Sequence, residues 1–348
     1  MNVPLPAAVA TADDLRDALA DMDPGTDAAS ALRQLVDQGL DQLPLPGSGH
    51  TLDRWRALSV IAQHDLSLAK LYEGHTDALA ILAELDASDR SPEGAIWGVW
   101  AAEAPEGRTG IASDGNGRLL VNGRKCWCSG ATHVSHALVT GWHPDGQAPQ
   151  LIGLALDQPG IVVHADEWHG VGMAGSPPVD VVFENARARR IGEVGDYLAR
   201  PGFWHGGGGV AACWYGGAST LATTLHRSVV ATARSARDPF RLAAIGKVDL
   251  ALHAAAWQLR EAAEWIDRHP LAGASKVVLR ARLAAEEAAR QVLDQAGRAL
   301  GARPFCRDDR FARAAADLPV FVRQSHAERD LMALGERVLA AGSHPWSL

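Results

Sequence analysis

The feature that most constrains this chain is a double switch in the spacing of its apolar residues. Residues 11 to about 88 carry them at helical intervals. From Trp97 to about Ile191 they come in short, turn-bounded runs, and after Gly202 the helical interval returns. Helices and strands are therefore segregated along the chain, which gives an α+β fold: an N-terminal helical domain (residues 1–94), a central β domain (95–196) that is an antiparallel barrel or sandwich, and a C-terminal block of four helices (197–348). At 348 residues, with 47% hydrophobic and 21% charged residues, the chain has the length for about two domains and is neither disordered nor collagen-like.

Local signals place the elements. Thr11 and Asp14 have capping-box spacing, Thr26 opens a second helix, and residues 51–86 read as a long helical stretch with a break near Gly74. Leu119-Leu120-Val121, then Asn122-Gly123, then Arg124 to Ser129 reads as a hairpin with a type I′ turn. Ala137–Trp142, Gln150–Leu156, Gly160–His164 and Val179–Phe183 are further strands. Asp238-Pro239 caps a helix reaching about Asp267, Ser275–Leu300 forms the next, and a last helix runs from about Pro319 to Ala341.

Charge and composition exclude several functions. Lys plus Arg total 33 against 41 Asp plus Glu, a net charge of −8, and no basic stripe is present to displace counterions from nucleic acid. No run has the 18 or so apolar residues that span a bilayer, and Met1-Asn2-Val3-Pro4 has no signal-peptide pattern. The four cysteines form no disulfide framework, so the expectation is a cytoplasmic protein with no membrane or nucleic-acid partner.

Candidate motifs are weighed against plainer readings. Gly170-Val-Gly172-Met-Ala-Gly175 matches G-x-G-x-x-G, but Ser176-Pro177-Pro178 and another strand follow it, so no helix opens toward a pyrophosphate. Cys126, Cys128, His133 and His136 are zinc-ligand types, yet their spacing departs from structural zinc sites and small buried cysteines explain the pair, so no metal is expected. No nucleophile elbow is present. Seven of the eleven tryptophans lie from Trp97 to Trp214, as core or as the lining of a cleft for a flat cofactor. His205 beside the Gly206–Gly209 run, and His326 on a helix after a proline, are the two histidines singled out; an isolated histidine is more commonly structural.

Four segments, in order, resemble the acyl-CoA dehydrogenase superfamily over roughly residues 50–341. Gly98-Val-Trp-Ala-Ala-Glu-Ala-Pro105 is similar to the strand and loop ending in Thr-Glu-Pro. Gly123-Arg-Lys-Cys-Trp-Cys-Ser-Gly130 is similar to Gly-x-Lys-x-Trp-Ile-Thr-Asn, and residues 172–185 to Gly-x-x-x-Ser-x-Thr-x-x-Val-x-Phe. Arg298-Ala-Leu-Gly301, with Asp317 sixteen residues later, fits the spacing of Gln-x-x-Gly-Gly and Arg-Asp-Ala.

The resemblance implies an N-terminal helical domain, a central antiparallel β-barrel-like domain and a C-terminal four-helix bundle, with FAD in the seam, and a homodimer or homotetramer. It also implies residue roles. The backbone of Trp100, Ala101 and Ala102 would meet the pyrimidine edge of the isoalloxazine, Trp127 and Cys128 would pack near the flavin, and Ser129 would reach N5. The corner from Arg298 to Gly301 would approach the ADP half of FAD in a neighbouring subunit, leaving redox chemistry to the cofactor and orientation to the protein.

Departures from the pattern bear on the reaction. The family's glutamate base falls on Ser325, next to His326, and its alternative site falls near Gly206, next to His205. Neither position carries a carboxylate, so Ser325, His326 and His205 are the candidates for an atypical base. Ala102, Arg298 and Ala302 replace the family's Thr, Gln and second Gly. The expectation is an FAD-dependent oxidoreductase acting on an acyl thioester or related small molecule. The alternatives are a flavin monooxygenase of the same fold, and a non-catalytic structural or binding member that has lost FAD.

Overall fold

The computed structural model describes residues 9–114, 118–165, 168–233, 238–340, 342 and 346. Four helices come first: α1 (Ala12–Ala20), α2 (Ala28–Asp37), α3 (Thr51–His64) and α4 (Leu66–Glu84). The capping box at Thr11 and Asp14 forms as expected. The second helix is capped by Asp27, one residue past Thr26, because the Asp27 carboxylate accepts from the amides of both Ala29 and Ser30. The long stretch breaks at Asp65, not Gly74. Asp65 is extended (φ −154°, ψ 133°) and its carboxylate caps α4 through the Leu68 amide, so it ends one helix and starts the next.

Strands follow: β1 (Trp97–Trp100), β2 (Thr109–Ser113), β3 (Leu119–Ser129), β4 (His136–Gly141), β5 (Gln150–Ala155), β6 (Ile161–His164) and β7 (Pro178–Ile191). Their order is β1-β4-β5-β7-β3-β2, with β6 on β7. All pairings are antiparallel except β1 with β4, which run parallel because the β2–β3 hairpin forms a crossover between them. The Ile111 amide donates to the Trp142 carbonyl and the Trp142 amide to the Thr109 carbonyl, so β2 curls back to the end of β4 and the sheet takes on its barrel-like shape.

Asn122-Gly123 is not a turn. β3 runs straight through it to Ser129, with a register shift against β7 between Val121 and Gly123. Gly123 is at φ 108°, where a Cβ would fall 2.2 Å from the Arg108 carbonyl oxygen, and Asn122 exchanges hydrogen bonds with Asn185 on β7. The dipeptide that favours positive φ in a turn here favours it in a bulge.

The C-terminal part holds α5 (Asp196–Ala199), α6 (Gly202–Val230), α7 (Pro239–Arg268), α8 (Ser275–Leu300), α9 (Arg303–Arg307), α10 (Asp309–Phe321) and α11 (Glu328–Ala340). The single last helix expected from Pro319 is two. Pro319 lies inside α10, a 3₁₀ turn covers Val322–Gln324, and Ser325 is extended (ψ 142°). The long α6 lies close on α3: a Cβ at Gly208 would fall 2.3 Å from the Trp55 ring, and one at Gly216 2.4 Å from the Ser59 carbonyl oxygen. Trp55 and Trp214 are fully buried in the resulting core, which continues into the sheet through Trp100, Val121, Cys128 and Phe183. No described helix is long and apolar enough to cross a membrane.

Candidate functional site

The site starts where β1 and β3 end side by side. The Trp100 indole is buried, folds back over Gly98, and donates from Nε1 to the Ser129 carbonyl at 3.1 Å, which ties the two strand ends together. Beyond Trp100 the chain leaves the strand, and among the described residues no main-chain hydrogen bond occupies the amides or carbonyls of Ala101 and Ala102. An open backbone edge of this kind is free to hydrogen-bond an incoming ligand in place of water.

A buried cation holds the two motif segments in register. Lys125 Nζ donates to Glu103 Oε1 at 2.8 Å, to Thr140 Oγ1 at 2.8 Å and to the Thr140 carbonyl at 3.2 Å. Glu103 also accepts from Thr140 Oγ1 and, at its other oxygen, from Trp142 Nε1 at 2.9 Å. Burial works to raise the Glu103 pKa, but the hydrogen bonds from Lys125, Thr140 and Trp142 outweigh it and hold the carboxyl below its ordinary range.

A second register shift in β3, between Lys125 and Cys128, turns the next side chain outward. Trp127 is left-handed (φ 63°) and 56% exposed, a flat aromatic surface open to solvent at the rim. Cys128 points the other way, fully buried, with Sγ against the Lys125 carbonyl; burial pushes its thiol pKa well up. The Ser129 hydroxyl is half-buried, and among the described residues it bonds to no other group. It opens into a narrow cleft lined by Lys70, Leu71, Gly74, Val99 and Val134.

Helix α4 forms the opposite wall and brings charges that sequence reasoning missed. Lys70 pairs with Glu73 at 2.9 Å, both largely buried. Burial acts to lower the Lys70 pKa, and the adjacent Glu73 carboxylate raises it overall. Asp77 lies one turn further along the same face. Arg54 of α3 is buried and donates to the Pro44 carbonyl at 3.2 Å, while Arg200, ahead of α6, pairs with Glu84 at 2.7 Å. Lys70, Glu73 and Asp77 recur at i, i+3 and i+7 on a largely apolar helix, a pattern visible in the sequence.

Arg282 of α8 lies between α6 and the turn at Ser325. It is buried, donates to the carbonyls of Gly207 (2.8 Å) and Gln324 (3.1 Å), and lies over the Trp214 ring at 4.8 Å. These two carbonyls adjoin Gly206 and Ser325, the positions where the resemblance puts a glutamate. One guanidinium thus bridges both places. Ser325 is buried there, its Oγ accepting from the Ala327 amide at 3.1 Å.

The other candidates lie elsewhere. His205 is buried on α6 toward the α2–α3 linker, its Cε1 3.6 Å from where a Gly47 Cβ would be; its Nε2 has no hydrogen-bond partner among the described residues, and burial lowers its pKa. His326 is 69% exposed and sits 3.6 Å from Asp330. Arg298 is 75% exposed beside Asp294, and Gly301 is exposed at the end of α8 with φ 67°. The Gly170–Gly175 segment opens no helix; the Met173 amide donates to Asp317 at 2.6 Å. Among the described residues no cluster of His, Cys, Asp or Glu is arranged to hold a metal ion.

Solved structures match over nearly the whole chain. Butyryl-CoA dehydrogenase from Megasphaera elsdenii superposes with a TM-score of 0.80 at 16% identity, covering 97% of this chain and 100% of that one. The chain has the acyl-CoA dehydrogenase fold. Methanesulfinate monooxygenase from Pseudomonas fluorescens matches with a TM-score of 0.79 at 20% identity, covering 97% and 98%. A nitrososynthase from Micromonospora carbonacea var. africana matches with a TM-score of 0.76 at 21% identity, covering 96% and 98%. No protein-family model and no curated protein sequence matches the chain. The fold thus carries dehydrogenases and oxygenases alike, and chemistry has to be argued from the site.

Proposed function

We propose that this chain is a flavin-dependent oxidoreductase acting on a small molecule or acyl thioester. The observation that carries the proposal is the convergence at one rim of an exposed aromatic face (Trp127), an unengaged hydroxyl (Ser129) and an open stretch of backbone (Ala101–Ala102), held in place by the Trp100–Ser129 and Lys125–Glu103 bonds. A flat, polar-edged ring system fits that set: Trp127 covers a face, Ser129 offers a hydrogen bond, and the backbone serves a pyrimidine edge. When bound, FAD supplies the two-electron redox chemistry that no side chain here can provide. The protein orients the substrate beside the narrow cleft at Ser129, where α4 brings Lys70 and its partner Glu73.

A monooxygenase is the second reading. It is favoured by the lack of a carboxylate at both Ser325 and Gly206, and solved neighbours of the fold include a monooxygenase. A homo-oligomer belongs to the same proposal, since the outer face of α7 exposes Phe240, Leu250 and Trp257. The Arg298–Gly301 corner then faces outward, toward a second copy.

The test is to load the protein with FAD and mix it anaerobically with butanoyl-CoA and with a panel of small amines, thiols and ketones. Bleaching by one of these without oxygen supports a dehydrogenase. Oxygenated product formed only with a reductant and oxygen supports the second reading. A protein that binds neither FAD nor FMN refutes both.

A further inference from the structure

We infer that Asp77 is the proton-transfer carboxyl of the cleft, delivered from α4 to the place that α6 leaves open at Gly206. The inference rests on the oxidoreductase reading and names the group that the reading lacks. A Cβ built at Gly206 would fall 2.7 Å from Asp77 Oδ1, 3.2 Å from its Cγ and 3.3 Å from Oδ2. The carboxyl group therefore packs directly against the glycine, and a side chain at residue 206 would have to push it aside. Where the resemblance places a glutamate on α6, this chain has the smallest residue on α6 and an acid on the facing helix.

The carboxyl is placed to exchange a proton. Asp77 is half-buried, and among the described residues no hydrogen bond or ion pair engages it. An acid held this way keeps its acceptor sites for an incoming group. The charged and titratable groups around it are Lys70 and Glu73 on its own helix, Arg54 on α3, Tyr197 on α5 and Arg200 ahead of α6. Burial is the largest influence and raises the Asp77 pKa; Arg200, Arg54 and Lys70 oppose it and Glu73 adds to it. Lys70 and Arg200 are each held by a carboxylate of their own, Glu73 and Glu84, so neither is free to lock Asp77 into a permanent pair.

The step is a simple proton transfer. An O–H bond forms at an Asp77 oxygen, the C–H, N–H or O–H bond of a small polar substrate breaks, and the electron pair stays on the substrate. A wall of Lys70, Glu73, Arg54 and Arg282 suits such a molecule better than a long alkyl chain.

Two measurements on the purified full-length protein decide it. The first follows aspartate Cγ signals by NMR against pH in ¹³C-labelled protein. Among the described aspartates two should titrate above the ordinary range, Asp77 and Asp317; Asp77→Asn should remove one of these signals and Asp317→Asn the other. An Asp77→Asn spectrum that keeps both elevated signals overturns the inference.

The second is a stability cycle. Gly206→Ala should be less favourable for the melting temperature of wild type than for that of Asp77→Ala, where the helix-favouring alanine meets no carboxyl. Strictly additive effects would show that the two positions do not share one space, and would overturn it. Neither readout requires bound flavin. A failure of the oxidoreductase reading would appear separately, as a protein that takes up no FAD.

Discussion

Replacing Lys125 by Met separates the two segments that frame the site while nearly preserving volume. The side chain is 2% exposed and carries three hydrogen bonds, one of them an ion pair with Glu103. Removing one partner of a buried ion pair costs about 3–5 kcal/mol. Glu103 is 39% exposed, so solvent recovers part of its share, and methionine refills the space; about 2–3 kcal/mol remains. Most of that loss comes from the Thr140 carbonyl, left without its cation in a buried strand.

Urea unfolding at pH 7 measures the loss, and the acid limb adds a check on its sign. The Glu103 pKa is depressed in the folded state, so its contribution is present above the unfolded carboxylate pKa and is lost as pH falls through the folded value. Lys125→Met should shrink that acid-side loss. The variant should also bind FAD more weakly, because the Ala101–Glu103 strand end is no longer fixed. A change below about 0.5 kcal/mol, with an unchanged acid limb, would refute the claim that this pair organises the site.

Further outcomes follow from single contacts. Burial raises the Asp317 pKa to about 6, against the amide of Met173, which lowers it. Stability from this group is therefore present when it is protonated and is lost as pH rises from about 4 through about 6. Asp317→Asn keeps an acceptor for Met173 and should flatten that slope, gaining at most about 3 kcal/mol relative to wild type between pH 4 and 7 in denaturant titrations. Gly172→Ala sets a Cβ 2.2 Å from the Ala316 carbonyl oxygen on α10 and should cost roughly 2–4 kcal/mol by thermal unfolding. Trp127→Ala removes an exposed side chain; the melting temperature should hold within about 2 °C while FAD affinity falls at least tenfold by fluorescence titration.

Much of the scaffold was legible in the sequence because it rests on local rules. α8 spans Ser275–Leu300 as its periodicity requires, and Asp238 caps α7 through the Phe240 amide, with Pro239 at the first turn. Errors arose where tertiary context chose between uses of one residue type. Asn122-Gly123 serves a bulge because β7 supplies Asn185 opposite it, a pairing sixty-three residues away. Gly74 reads as a break, yet it continues α4 and lines the cleft at Ser129, while Asp65 makes the break by capping.

At the site, the strand-end motifs carried a readable signature, and the structure sets Trp100 and Ser129 against each other. The acid wall did not. Asp77 gains its meaning only from Gly206 on another helix, and Arg282 from the two carbonyls it joins across α6 and the Ser325 turn. Sequence alone also gave His205 and His326 equal standing; burial separates them, one sealed against the α2–α3 linker and the other on the surface.

The most direct test of the central claim is the absorbance spectrum of the purified protein, taken as isolated and again after incubation with FAD, with mass identification of whatever chromophore heat releases. The account predicts bands near about 370 and 450 nm, as for an oxidised flavin held as cofactor, in a stoichiometry approaching one per chain. A colourless protein that also leaves added FAD unbound would contradict it, and would leave this chain as a member of the fold that has given up the redox chemistry.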